Sequence, residues 1–213
     1  MQELTVFKNK GYLRKVQKVL PILEEIAPSM VKTKVMSYDI LRKKIRKEFG
    51  YKYLGSGYTA ICFEIDEGRV LRIEYNYGKS GMFRWLEYAE ENPSSITPRV
   101  FFRGVVKVAH QKKFLITVVE KLQPIEKSKV FKRSSLENAC DNLSIFFRRK
   151  KNYEPFWEGF ANSIKNGLDA NKILPFNDAY QVKIALTRIN DIHSGNIMFS
   201  EKRNKLILSD PLY

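Results

Sequence analysis

Apolar residues recur every three or four positions over residues 12–26, at Leu13, Val16, Leu20 and Leu23, which predicts a helix that Pro21 kinks or splits. A cleaner stripe follows: Tyr38, Leu41, Ile45 and Phe49 share one helical face, Arg42, Lys43, Lys44, Arg46 and Lys47 take the others, and Gly50 marks the end. Beyond Gly50 the period changes. Residues 51–54, 60–65, 69–75, 100–108 and 114–119 are rich in β-branched and aromatic side chains and read as strands. A helix over 81–91, stopped by Asn92-Pro93, separates the third from the fourth. From about Leu122 the pattern is helical again, over 135–150, 153–168 and 177–189, the last capped by Asn177 or Asp178 with Val182, Leu186 and Ile189 facing inward. Two short apolar runs, 197–199 and 206–208, close the chain as a β-ribbon around the polar turn Ser-Glu-Lys-Arg-Asn-Lys.

These patterns predict an α+β protein with three parts: a basic helical segment over 1–50, an antiparallel sheet with one helix over 51–122, and a helical part ending in the ribbon over 123–213. At 213 residues there is room for one domain of two lobes or for two small domains. No apolar run approaches the roughly 18 residues that span a bilayer, and the N-terminus lacks the features of a secretory signal, so a soluble, cytoplasmic protein is expected. Cys62 and Cys140 are too few and too far apart for a disulfide framework or a cysteine-based zinc site, and reduced, half-buried thiols are expected.

Charge changes the picture. Residues 1–50 hold 12 Lys/Arg against 5 Asp/Glu and residues 121–151 hold 9 against 3, so two segments supply +13 of the net +15. A field of that sign attracts polyanions such as nucleotides, nucleic acid or an acidic protein surface; the same residues also serve simply to solvate helix faces.

Four stretches carry candidate chemistry. Gly55-Ser56-Gly57, in a Gly-x-Gly-x-x-Ala turn between two strands, lets the backbone approach phosphate oxygens, although a glycine-rich hairpin turn needs no ligand to explain it. Arg72 places a cation among apolar strand neighbours, where it is either solvent-facing or paired, with Glu87 on the following helix as a candidate partner. The strand Ile116-Thr-Val-Val-Glu-Lys-Leu122 runs into a segment of no obvious structure, where main-chain groups can bond to a planar base. Lastly, Asp191-Ile-His-Ser-Gly-Asn196 is followed, across the ribbon, by Asp210-Pro. An acid, an amide and a second acid offer the hard oxygen ligands that magnesium prefers.

In this order the four stretches resemble the protein-kinase-like superfamily, whose parts include a glycine-rich loop, a third-strand cation, a hinge, a catalytic loop with Asp five residues before Asn, and a metal-binding Asp beyond a ribbon. The final 25 residues are similar to the small early serine/threonine protein kinases of bacteriophages of the T-seven group, with looser likeness back to about Tyr51. The resemblance implies an abbreviated two-lobe kinase-like fold with ATP and Mg2+ as cofactors and host cytoplasmic proteins as substrates. It also implies roles: Asp191 orients the substrate hydroxyl and accepts its proton, Asn196 and Asp210 hold magnesium, Gly55, Ser56 and Gly57 cover the phosphates, Arg72 with Glu87 stands where family members carry a lysine and its acid, and Glu120 and Leu122 offer backbone bonds to adenine. His193 takes the place of a lysine that faces the transferred phosphate; a bond to the loop backbone is its other role. The chain departs from the family at Arg72, at Ala60 in place of a third loop glycine, and at Ile189-Asn190 in place of His-Arg. No activation loop or peptide-docking helices are expected in the three residues after Asp210. Two alternatives stand beside a kinase: a weakly active pseudokinase that binds a host protein or nucleic acid through its basic surface, and a small-molecule phosphotransferase.

Overall fold

The computed structural model describes residues 3–28, 34–57, 60–75, 81–108, 112–131, 135–165, 167–186 and 192–210. The chain is α+β. It divides into two compact units, each discontinuous in sequence: residues 1–79 with 99–121, and residues 80–98 with 122–213.

The first unit is built on a six-stranded antiparallel sheet of β1 (Glu3–Asn9), β2 (Lys52–Ser56), β3 (Ala60–Asp66), β4 (Arg69–Tyr75), β5 (Val100–Val108) and β6 (Lys112–Glu120), in the order β1-β5-β6-β4-β3-β2. Three helices cover one face: α1 (Leu13–Gln17), α2 (Leu20–Ile26) and α3 (Lys34–Phe49). Pro21 sits in the first turn of α2, where its missing N–H costs nothing, so the expected kink is realised as two separate helices. Val16, Leu20, Leu23, Leu41 and Ile45 meet Ile61, Phe63, Leu71, Ile73, Phe102, Phe114, Ile116 and Val118 in one core. Alternation sends these strand residues to the helical side and leaves Cys62, Arg72 and Thr117 on the opposite side. Gly50 closes α3 with φ +66°, a conformation that glycine adopts without strain.

The N-terminal segment is not wholly helical. Residues 3–9 form β1, an edge strand paired to β5 with a bulge between Val6 and Lys8. Its pattern is weak because most of its side chains are exposed, including Phe7. Phe7 lies under the Arg103 guanidinium, 4.9 Å from ring centroid to carbon, a cation–π contact. Gly104 gives room in this pairing, since a Cβ there would come 3.0 Å from the Phe102 ring and 3.2 Å from the Thr5 carbonyl and one of them would have to give by a few tenths of an ångström.

The second unit holds α4 (Met82–Glu91), α5 (Leu136–Arg148), α6 (Glu154–Ser163), α7 (Ala170–Ile173) and α8 (Phe176–Ala185), with a three-stranded sheet of β7 (Gln123–Pro124), β8 (Ile197–Ser200) and β9 (Lys205–Leu208) in the order β7-β8-β9. Helix α4, although it lies between β4 and β5 in sequence, clusters with this unit rather than with the sheet of the first. Helix α6 ends at Ser163, short of the predicted 168, because Ile164 turns extended and bridges to Phe131. Helix α8 starts after Pro175, and neither Asn177 nor Asp178 caps it; the Asp178 carboxylate instead accepts from the Ser95 N–H (2.9 Å) and the Ser95 hydroxyl. Val182 is buried, Leu186 is half-buried and Ile189 lies outside the described residues.

An aromatic cluster fills the helical part, in which Phe146 contacts Tyr153, Trp157 and Phe176 at centroid separations of 5.2–6.0 Å. Lys183 reaches into it. Its ammonium donates to the carbonyls of Phe146 and Arg149 at the end of α5 and lies 4.8 and 4.7 Å from the Phe146 and Tyr153 rings. A cation there satisfies helix-end carbonyls and meets the negative end of the helix dipole. Both cysteines are free thiols, and burial, with Asp141 and Glu126 adding to it, pushes Cys140 up to about 11.

Candidate functional site

In the first unit, the sheet register aligns the glycine strand with the third-strand cation. Gly55 pairs with Cys62, Cys62 with Arg72, Arg72 with Thr117, and Thr117 with Arg103, so these residues form one row across five strands. Two strand spacings, about 10 Å, separate Gly55 from Arg72. Ser56 is exposed and its hydroxyl lies 3.0 Å from that of Tyr53. The Gly57 N–H closes the hairpin by donating to the Ala60 carbonyl at 2.8 Å.

The glycines themselves are informative. Neither Gly55 nor Gly57 has a positive φ, and a Cβ built on either meets no described atom within 4 Å. Packing within the described chain therefore does not explain them. By contrast, a Cβ at Gly159 would come within 2.7 Å of the Asn142 side chain, and one at Gly195 within 2.8 Å of the His193 ring, so in both places a neighbouring side chain would have to move.

Arg72 is paired in the core rather than turned to solvent. Its guanidinium Nη1 donates to Glu74 Oε2 on the same strand, with the Arg72 side chain 12 % exposed and that of Glu74 0 %. Residues i and i+2 of a strand share a face, which brings the two together. Burial, reinforced by Glu74 and opposed by Arg72, pushes the Tyr38 phenol on α3 up to about 12. Burial likewise raises the Cys62 thiol, with Arg72 lowering it and Glu74 raising it. The Glu120 N–H is committed to the Arg99 carbonyl at 3.0 Å, and its carboxylate accepts from the Arg99 N–H at 3.2 Å. The chain passes from the first unit to the second between Lys121 and Leu122, which is half-buried.

In the second unit, the β8–β9 ribbon pairs Ile197 with Leu208, which sets Asn196 against Ser209 and places Asp210 one residue beyond. The Asn196 carbonyl accepts both the Ser209 N–H (2.9 Å) and the Ser209 hydroxyl (3.1 Å). Asn196 and Asp210, fourteen positions apart in the sequence, are thus brought to one end of the ribbon. The preceding loop is a tight turn: the His193 carbonyl accepts from Asn196 and Ile197 at 2.9 and 3.1 Å, and His193 Nδ1 accepts the Gly195 N–H at 3.0 Å. With Nδ1 an acceptor, the neutral ring carries its proton on Nε2. Asp191 lies outside the described residues. Glu87 is half-buried on α4, in this unit.

Sequence reasoning missed Trp85. Its indole is fully buried and donates to the Leu208 carbonyl at 3.0 Å, while the Leu208 N–H donates to the Ile96 carbonyl at 2.9 Å. Both backbone groups of Leu208 are thereby tied to the 80–98 segment, two residues before Asp210. The available signal was a tryptophan in the apolar stripe Met82, Trp85, Leu86, Ala89, because a buried indole N–H needs a partner.

Among the described residues no three His, Cys, Asp or Glu side chains cluster as a metal site, and no helix is long and apolar enough to cross a membrane. Asn196 and Asp210 still fit magnesium in donor chemistry, since both carry hard oxygens and this ion retains several waters or phosphate oxygens of its own. No protein-family model matches the chain, and no curated protein matches it.

Proposed function

We propose that the chain is an ATP- and magnesium-dependent serine/threonine protein kinase of the phage type, acting on host cytoplasmic proteins. The observation that carries this reading is the ribbon register, which sets Asn196 and Asp210 at one end, directly after the Asp191-Ile-His-Ser-Gly-Asn196 loop. The glycines at 55 and 57, unexplained by packing among the described residues, and the alignment of Gly55 with Arg72 support it. Asn196 and Asp210 would hold the metal, which when bound neutralises phosphate charge. Asp191 accepts the proton of the attacking hydroxyl as the bond from the γ-phosphorus to the ADP oxygen breaks and the new ester bond forms. His193, with its proton on Nε2, is a neutral donor toward a phosphoryl oxygen. Gly55, Ser56 and Gly57 cover the phosphates, and Glu120 and Leu122 contact the base through their main chain.

The test is transfer of label from ATP, with magnesium, to proteins of a host lysate. Label that disappears with Asp191→Ala supports the kinase; no label from the folded wild type defeats it.

A second reading, a weakly active pseudokinase that binds an acidic host protein or nucleic acid, is favoured by the exposed Lys43, Arg46 and Lys47 on α3. Capture of a host partner that weakens steeply with salt, in the absence of phosphotransfer, selects it.

A further inference from the structure

We propose that the second unit binds single-stranded nucleic acid where α5, α6 and α8 meet, with Arg148, Arg149, Lys150 and Lys151 on the phosphates and the end of an aromatic stack beneath a base. This does not rest on the kinase reading, and the surface is not that of the α3 cations. The four cations are consecutive and exposed, and they are four of the nine that make 121–151 basic. Cations at the end of a helix are ordinarily explained by its dipole and its unmet carbonyls. Here that need is already filled: Arg148 Nε donates to the Ser144 carbonyl at 3.2 Å, and Lys183 of α8 takes the carbonyls of Phe146 and Arg149. Lys150 and Lys151 are left over. Among the described residues none of the four forms an ion pair, and the exposed acids of α6, Glu154 and Glu158, form none with them. Together with the Lys183 ammonium they crowd positive charge around the end of α5, a repulsion that a polyanion relieves.

The neighbouring rings decide which polyanion. Tyr153, two residues after Lys151, meets Phe176 and Tyr180 of α8 at centroid separations of 6.5 and 5.6 Å. Phe176 and Tyr180 are nearly parallel, 10° between planes and 5.9 Å apart. Tyr180 ends this stack. It is half-buried, no further described ring or cation lies against it, and Ile184, one turn on along α8, is 55 % exposed. Arg149 lies over the half-buried Phe156 ring, 5.1 Å from its centroid, so a planar cation is held flat in the same neighbourhood. An acidic peptide would use the cations alone, and a duplex keeps the faces of its bases stacked on one another. A single strand offers phosphates to the cations and an unstacked base to Tyr180, the combination of basic track and aromatic platform that such strands require.

The experiment is fluorescence anisotropy of a short fluorescein-labelled oligothymidylate titrated with the full chain over a range of salt concentrations. Binding is expected, its logarithm falling against log salt with a slope of about 0.7 for each phosphate held. Lys150→Ala/Lys151→Ala reduces that slope by about 1.4, whereas Lys113→Ala/Lys202→Ala, which removes the same charge from exposed positions elsewhere, leaves it unchanged. Tyr180→Leu keeps an apolar side chain, loses the flat face and weakens binding about tenfold, while Tyr180→Phe, which retains the ring, binds as the wild type does. Circular dichroism establishes which variants fold; should Tyr180→Leu not fold, the lysine pair decides alone, because both side chains are exposed. Absence of binding at low salt, equal losses from the two lysine pairs, or a folded Tyr180→Leu with wild-type affinity overturns the proposal. Polyglutamate that competes as well as unlabelled oligothymidylate overturns it in favour of an acidic protein, and loss confined to Lys43→Ala/Lys47→Ala overturns it in favour of α3. None of these results bears on phosphotransfer, which is assayed separately.

Discussion

The main-chain carbonyl of Asn196 accepts two hydrogen bonds from Ser209, one from its N–H at 2.9 Å and one from its hydroxyl at 3.1 Å. This double bond from a single residue pins the loop that ends at Asn196 to the strand end that leads into Asp210. Replacing Ser209 with alanine removes the hydroxyl bond and leaves the backbone bond. A loss of about 1 kcal/mol in stability is expected, measured by urea denaturation. If the two oxygen-bearing residues serve magnesium, the metal concentration needed for half-maximal phosphotransfer rises in the same variant.

Gly55→Ala and Gly57→Ala should separate stability from function. Neither added methyl meets a described atom within 4 Å, and neither position has a positive φ. Thermal stability therefore changes by no more than about 0.5 kcal/mol. Nucleotide affinity falls at least severalfold in both, because the methyl occupies the space through which a phosphate would approach. Equal affinity in both variants would assign these glycines to the hairpin alone.

At Gly195 the opposite is expected. A Cβ there lies 2.8 Å from the His193 ring, so Gly195→Ala must displace the imidazole and break the bond from the Gly195 N–H to Nδ1. His193 is exposed and can turn aside, so the cost is that of the lost hydrogen bond, about 0.5–1 kcal/mol in the wild-type background. In a His193→Ala background the obstruction is gone, and the same substitution becomes close to neutral. A double-mutant cycle by chemical denaturation measures this coupling.

Asp66 links stability to pH in the first unit. Burial raises its carboxyl, but hydrogen bonds from Lys15 and Arg69 outweigh that and hold it below the ordinary carboxylate value of 3.8. A lowered folded value means that the unfolded chain binds the proton more tightly, so this contribution is complete above pH 3.8 and disappears as pH falls through the folded value. Because these groups are partly exposed, Asp66→Asn costs only about 0.5–1 kcal/mol at neutral pH, and less in high salt. Denaturation curves of the two proteins at pH 7 and in strong acid should converge in acid.

Lys183 holds the end of α5 inside an aromatic cluster. Lys183→Met keeps the length and apolar stem but leaves the Phe146 and Arg149 carbonyls without this donor. A loss of about 2 kcal/mol is expected from the unmet carbonyls and the lost ring contacts. Tryptophan fluorescence follows it directly, because Trp157 packs on Phe146 at 5.2 Å.

The ribbon, the basic helix ending at Gly50 and the strands around Arg72 were legible in the sequence because each buries one face against a local period. Strand β1 was not, since Leu4, Val6 and Phe7 break alternation and most of the strand is exposed. Nor was the bond between Arg72 and Glu74 on β4, although strand periodicity puts i and i+2 side by side. The Trp85–Leu208 bond was beyond reach for a different reason: the acceptor is a main-chain carbonyl, which no residue type announces. The candidate loop and its ribbon were readable as a motif, whereas the contacts that hold them in place depend on tertiary structure.

The interleaving of the two units has a bearing on how the polypeptide is born. Residues 80–98 leave the ribosome early, yet the carbonyl that Trp85 holds belongs to Leu208, 123 positions later. The central strands of the sheet likewise wait for residues 99–121. During synthesis α4 must remain without its final companion until the β9 strand has been made, so nascent intermediates expose its apolar stripe, and arrival of Leu208 is what permits this part of the second unit to assemble.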